Sequence, residues 1–308
     1  DGSIIAWQQA IAAQGDKPDP LYLYEAAKVV LELLDRPGLT RAQTTERFRQ
    51  VTSYLELARR QAPDNPDIQR LICEKIYPPF TGQRHIEEAD RLLKLVPDDP
   101  EAHYNRGRAE VSLSDSLGSQ YAESAIADFT KATELKADEP KYWRALAGAY
   151  VNADRTDEAG RTLQNAIAAL PDDPEIRVAY ATYLKSTGDV DGAKLQVEEA
   201  ISRAPNSAVG YLHLALMQLA DGQSDEALES LAKGHEADPA DVATYMLASD
   251  IHRRRREPKL AADAIRAGIE AITNQLTGNK GEPLQPQLRL ALERARTQLH
   301  YNLANTLL

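Results

Sequence analysis

The chain has 308 residues, enough for two globular domains or one elongated array, and its 47 acidic against 36 basic side chains give a formal net charge of −11. That balance argues against sequence-independent binding to DNA or RNA, whose affinity comes from neutralising phosphates with Lys and Arg. Hydrophobic residues reach 43% but aromatics only 6%, and the dominance of Ala and Leu favours helices. Cys73 is the only cysteine, so no intrachain disulfide can form. This leans toward a reducing, cytoplasmic compartment without excluding a periplasm. No run of about 18 apolar residues is present, so membrane insertion is not expected.

Taken in chain order, Asp1-Gly2-Ser3 leads straight into Ile4-Ile5-Ala6-Trp7, with no initiating Met and no signal peptide, so the chain reads as a processed product. Residues 3–14 look like the second helix of a pair without its first. From Pro18 to Pro63 is 45 residues, which places an insertion of eleven around Arg36-Pro37-Gly38-Leu39. From Pro63 to Pro97 is 34 residues, as are Pro171 to Pro205 and Pro205 to Pro239. The texts Pro63-Asp-Asn-Pro66, Pro97-Asp-Asp-Pro100 and Pro171-Asp-Asp-Pro174 each combine a helix stop, a cap and a proline suited to the next first turn. Pro78-Pro79-Phe80-Thr81-Gly82 replaces a simple interhelical turn. From Pro97 to the next turn position, Ala137, is 40 residues, so six extra residues lie near Ser114-Asp-Ser-Leu-Gly-Ser119. After Thr273, Gly278 to Pro283 with Pro286 reads as a linker before a last helix. The chain stops at Asn305-Thr306-Leu307-Leu308, inside a first helix, where a terminal repeat would present a polar face. The parent protein is therefore expected to continue.

Between the turns the 34-residue step recurs in register. It carries Ala125, Ala159, Ala193, Ala227 and Ala261, and likewise Phe129, Leu163, Val197, Leu231 and Ile265. Ala132, Ala166, Ala200, Gly234 and Gly268 form a third column, and Trp143, Arg177, Tyr211 and Tyr245 a fourth. Large and small residues also alternate at three- and four-residue steps, so each half-unit is an amphipathic helix. First helices are expected near 100–113, 140–152, 174–186, 208–220 and 242–256. Second helices are expected near 120–136, 157–169, 190–203, 225–236 and 258–273. One pair cannot bury its apolar face alone, so neighbouring pairs must stack.

Trp143-x-x-Leu146-Ala147-x-x-Tyr150, Ala159-x-x-x-Leu163 and Pro171 together resemble the tetratricopeptide repeat signature, with Ala for Gly and Leu for Phe. Tyr104-Asn105-Arg106-Gly107-Arg108 and Tyr301-Asn302-Leu303-Ala304-Asn305 resemble the opening helix of the same motif. The resemblance implies an all-α, right-handed solenoid of antiparallel helix pairs. Residues 1–99 would hold divergent repeats, 100–273 a regular array, and 274–308 a linker and the start of a further repeat. The insertions would fall on loops, either as surface decoration or as contributions to partner binding.

Little in the sequence suggests catalysis, and no cofactor or metal is expected. The six histidines do not pair at helical steps and none neighbours Cys73, which reads as a small buried apolar residue. There is no phosphate loop and no nucleophile elbow. Glu87-Glu88 and Glu198-Glu199 read as solvated. Arg253-Arg254-Arg255-Arg256 either complements a helix C-terminus or sends two side chains into a groove.

The resemblance further implies a concave groove lined by first helices that holds partner protein segments. The positions facing it would include Tyr104, Arg108, Lys141, Arg144 and Lys185, then Leu212 and Leu216, then Arg253. Basic residues beside apolar ones suit a partner segment with acidic residues and an apolar anchor. Two other readings stay open: a targeting or regulatory array of a larger enzyme, and self-association through exposed terminal repeats.

Overall fold

The computed structural model describes residues 2–15, 17–34, 39–78, 81–117, 119–278 and 284–307. Every regular element among them is helical, and no strand occurs. The chain divides into two compact units, Asp1–Thr162 and Leu163–Leu308.

Unit 1 begins with α1 (Gly2–Ala12), which packs on α2 (Pro20–Leu34), and α2 pairs with α3 (Arg41–Gln61). Next come α4 (Pro66–Leu71), a π-helical turn (Ile72–Ile76) and α5 (Gln83–Leu95). Then α6 (Pro100–Leu117) pairs with α7 (Ser119–Leu135), and α7 packs on α8 (Pro140–Asn152). One core joins Leu23, Val30, Val51, Leu55, Ile68 and Ile72; another joins Ala125, Phe129, Leu146 and Ala149. The boundary falls inside α9 (Thr156–Ala169).

Unit 2 continues with the pairs α10 (Pro174–Ser186) and α11 (Val190–Arg203), α12 (Ala208–Ala220) and α13 (Ser224–Ala237), and α14 (Val242–Arg254) and α15 (Pro258–Gly278). It ends with α16 (Pro286–Leu307), whose Leu292 and Leu299 pack with Tyr245, Ile265 and Ile272. The all-α array of helix pairs written into the 34-residue columns is the architecture each unit adopts. The Ala columns are its close contacts: Ala125, Ala159, Ala227 and Ala261 are fully buried and Ala193 nearly so.

Local chemistry sets the ends of these helices. Asp99, Asp173 and Asp241 accept hydrogen bonds from the amides of Ala102, Ile176 and Thr244 at 2.8–2.9 Å, each satisfying an orphan donor of a first turn. At the other end α8, α10, α12 and α14 close alike. The amides of Arg155, Asp189, Gln223 and Glu257 donate to the carbonyls of Tyr150, Leu184, Gln218 and His252 at 2.8–2.9 Å. The residue before each donor has positive φ: Asp154 57°, Gly188 91°, Gly222 78° and Arg256 62°. These four lie 34 residues apart, so one hydrogen-bonded turn recurs on glycine and non-glycine alike.

The structure corrects the sequence at several points. Gly118 lies outside the described residues, but on either side of it the extra residues near Ser114 are helical: α6 has 18 and α7 17 residues against 13 and 14 in α10 and α11. No glycine or proline falls between Gly107 and Gly118, so nothing stops α6 earlier. Helix α15 runs to Gly278, past the expected end near 273. The expected insertion at Arg36-Pro37-Gly38, residues Pro79 and Phe80, and the linker at 279–283 lie outside the described residues. Glu88 is not solvated: it is fully buried, because Arg59, Arg91 and Gln69 converge on its carboxylate. Cys73 is buried too, and the fold brings the ring of His85, twelve residues on, to 3.7 Å from its sulfur. Burial pushes the Cys73 thiol up to about 12 and holds His85 below its ordinary value, so this pair is not an activated thiolate.

Candidate functional site

Two cavities, one in each unit, gather most of the residues singled out above. The unit 1 cavity, about 420 Å³, lies between α6 and α8. From α6 come Tyr104, Arg108 and Val111, spaced four and three residues apart and hence on one face; from α8 come Lys141, Arg144, Ala145, Gly148, Ala149 and Asn152, again one face. Phe129 of α7, 2% exposed, forms the apolar floor. Gly107 is what seats that ring, since a Cβ there would meet Phe129 Cε1 at 2.8 Å. Gly148, by contrast, faces open space: beyond its chain neighbours and its own helix backbone, no heavy atom of the described residues lies within 4 Å of a Cβ placed on it.

The rim of this cavity is basic and pre-positioned. Lys141 Nζ donates to Glu101 Oε2 at 2.7 Å, and the Tyr142 hydroxyl donates to the same oxygen at 2.8 Å. Burial works against the Lys141 ammonium, but the hydrogen bond to Glu101 and the charges of Glu101 and Glu139 together outweigh it and raise its pKa, so it stays charged at neutral pH. The Tyr142 hydroxyl is raised as well, by burial first and by Glu101 second. The Tyr104 ring carries two cations, Lys141 Nζ at 5.2 Å and Arg108 Cζ at 5.6 Å. Arg108 is exposed and makes no ion pair among the described residues; Arg144 is also exposed.

The unit 2 cavity, about 250 Å³, is lined by Ala181, Thr182 and Lys185 of α10, Ala193 and Val197 of α11, and His213, Leu216 and Met217 of α12. Lys185 is exposed with no ion pair among the described residues, and Leu216 is 42% exposed. Burial alone lowers the His213 pKa and favours its neutral form. The two cavities occupy the same repeat register. Phe129, Ala145, Gly148 and Ala149 lie 68 residues, twice the repeat, before Val197, His213, Leu216 and Met217. Of these residues the sequence singled out only Leu216 for the groove; Phe129 and Val197 stood in the columns without being assigned to it.

Two expected residues lie elsewhere. Leu212 is half-buried against the Ala215, Leu231 and Ala248 core, because α12 turns that face toward α13 and α14. Arg253 lines neither cavity and pairs with Asp250, which Arg254 Nε also reaches at 2.7 Å. Arg255 pairs with Asp225 at 2.7 Å, so three of the four arginines in that run make local ion pairs. Among the described residues no group of three or more His, Cys, Asp or Glu side chains could hold a metal ion, and no helix is long and apolar enough to cross a membrane.

Two models described as tetratricopeptide repeat match residues 140–183 and 178–242. The human mitochondrial import receptor subunit TOM70 is 23% identical over 198 residues, covering 62% of this chain and 32% of that protein. The chain thus spans about a third of the length of this curated relative. Among solved structures, yeast Tom70 superposes with a TM-score of 0.57 at 15% identity, covering 92% of this chain and 60% of its own. A tetratricopeptide repeat protein from Parabacteroides merdae gives 0.53 at 14% identity, covering 90% and 99%. At these identities the structural likeness speaks for the fold alone. In motif, in the two matched models and in fold, the chain resembles the tetratricopeptide repeat family, most directly between residues 140 and 242.

Proposed function

We propose that this protein is a non-catalytic binding scaffold whose unit 1 cavity holds a partner protein segment carrying an acidic residue beside an apolar one. The tetratricopeptide resemblance supports protein interaction in general. The partner chemistry rests on one observation: Arg108 and Lys141 sit over the Tyr104 ring at the rim of a cavity floored by Phe129 and open at Gly148. A carboxylate meets the two cations while its apolar neighbour is desolvated against Phe129 and Val111. Charge would mainly set on-rate and selectivity, and anchor burial would set lifetime. The unit 2 cavity, with Lys185 and Leu216, offers the same pairing of one cation with an apolar wall.

Fluorescence polarisation with labelled peptides pairing Asp or Glu with Leu or Phe in all orders tests this. Two variants separate binding from folding. Arg108→Glu reverses a charge that makes no ion pair among the described residues, and Gly148→Leu fills the cavity from an exposed position. The latter also replaces a helical glycine, so it should raise stability by about 0.5–1 kcal/mol. Each variant should weaken the tightest peptide at least tenfold with the helical signal intact, and wild-type affinity should fall as salt rises. Wild-type affinity in both variants would refute the assignment.

A further inference from the structure

We propose that unit 1 carries a second site, unrelated to the peptide cavity, that binds a compact oxyanion of the phosphomonoester type. It is a cavity of about 640 Å³ where the C-terminal ends of α3 and α5 flank the start of α4. Four cations line it: Arg59 and Arg60 from α3, and Arg91 and Lys94 from α5. Only two carboxylates share the lining, Glu56 and Asp64. Even with buried Glu88 counted against them, the four cations leave a local positive excess, which in a chain with a net charge of −11 runs against the overall composition.

Buried Glu88 beneath the cavity gives the site its order. Its Oε2 accepts from Arg59 at 2.7 Å and from the Gln69 amide at 3.0 Å, and its Oε1 accepts from Arg91 at 2.9 Å. Arg84, outside the lining, lies 3.6 Å from the same Oε1 and also pairs with Glu87 at 3.5 Å. Two guanidiniums are thus held in place before any ligand arrives, and each has five N–H donors, more than these contacts use. Arg60 and Lys94 are exposed and make no ion pair among the described residues, so they are free to close over a ligand. A planar guanidinium presents paired donors that match phosphate oxygens, and such charge-assisted bonds are the strong ones. Helix dipoles explain basic residues in the last turns of α3 and α5, but not Arg91, which precedes the last turn, nor the convergence of all four on one cavity.

The test is thermal unfolding of the full chain at pH 7.5 in rising inorganic phosphate, against sodium chloride at matched ionic strength. The wild-type midpoint should climb saturably with phosphate and not with chloride. In the double variant Arg60→Gln, Lys94→Gln the half-saturating phosphate concentration should rise at least tenfold, whereas Lys233→Gln on α13 should leave it unchanged. A phosphoserine peptide and its unphosphorylated twin distinguish the source. Tenfold tighter binding of the phosphopeptide than of free phosphate would assign the site to a phosphorylated partner, and equal binding to the free anion. Phosphopeptide binding should weaken below about pH 6, where the phosphoester dianion is protonated to the monoanion. An identical phosphate response in wild type and double variant, or no response beyond that to chloride, would overturn the proposal. Neither outcome depends on the peptide cavity.

Discussion

Glu110 of α6 allows an electrostatic cost to be predicted and measured. It is 5% exposed; its Oε1 accepts from Ser124 Oγ at 2.6 Å, and its Oε2 is buried without a hydrogen-bond partner among the described residues. Burial is the main reason its pKa is raised from 4.5 to about 7. Asp128 and Asp90 add to the rise, while the Ser124 bond and Arg106 oppose it. The folded state therefore holds this proton more tightly than the unfolded chain. Its contribution to stability is intact below about pH 4.5 and is lost as pH rises toward 7. At about 1.36 kcal/mol per pKa unit, the loss is about 1 kcal/mol at pH 5 and about 3 kcal/mol above pH 7. Glu110→Gln keeps the shape and the acceptor for Ser124 but cannot ionise. Exchanging one unpartnered atom for another costs the same at every pH, so only the pH-dependent part matters. Urea denaturation of wild type and variant at pH 5, 6, 7 and 8 should show the variant gaining on wild type by about 2 kcal/mol across the series. A difference constant with pH would refute the reasoning.

Three further outcomes follow from the packing. Gly107→Ala should destabilise by about 1–3 kcal/mol in chemical denaturation, because its Cβ would press on the Phe129 ring, whereas Gly148→Leu on α8 should not. Asp154→Gly and Arg256→Gly should each raise stability by about 0.5–1 kcal/mol, since a left-handed conformation costs a side-chain-bearing residue about 1–2 kcal/mol and glycine returns only part of that as entropy; calorimetry checks it. Glu88→Ala should cost about 3–5 kcal/mol in urea denaturation, because it strips the buried partner from Arg59 and Arg91 together.

The helices were legible because their signals are local and repeated. Pro140, Pro174 and the 34-residue columns placed α8 and α10 at their observed ends, since a proline at the first turn and a cap three residues before its partner amide need no tertiary information. Tyr104, Arg108, Lys141 and Arg144 were likewise found together on one cavity because helical spacing alone puts each set on a face. What stayed hidden depends on contacts between distant residues. Glu88 looks solvated until Arg59, 29 residues earlier, is seen against it, and no periodicity encodes that pairing. Leu212 and Leu216 are four apart on α12, yet one packs into the core and the other stays open, a difference set by the neighbouring helices. The π-helical turn at Ile72–Ile76 has no composition signal that separates it from the α-helix before it.

The matched register of the two cavities bears on how such a chain changes over evolutionary time. Gly148 and Leu216 hold the same place in their repeats, both exposed, one empty and one filled by a branched side chain. Positions that shape the cavities are thus separate from the buried Ala columns that hold the pairs together. Drift there alters what is held while sparing the contacts on which folding depends. Duplicating a repeat would copy the cavity along with the scaffold, ready to diverge on its own. A lineage could acquire a new partner through one or two exposed codons, at little risk to the fold.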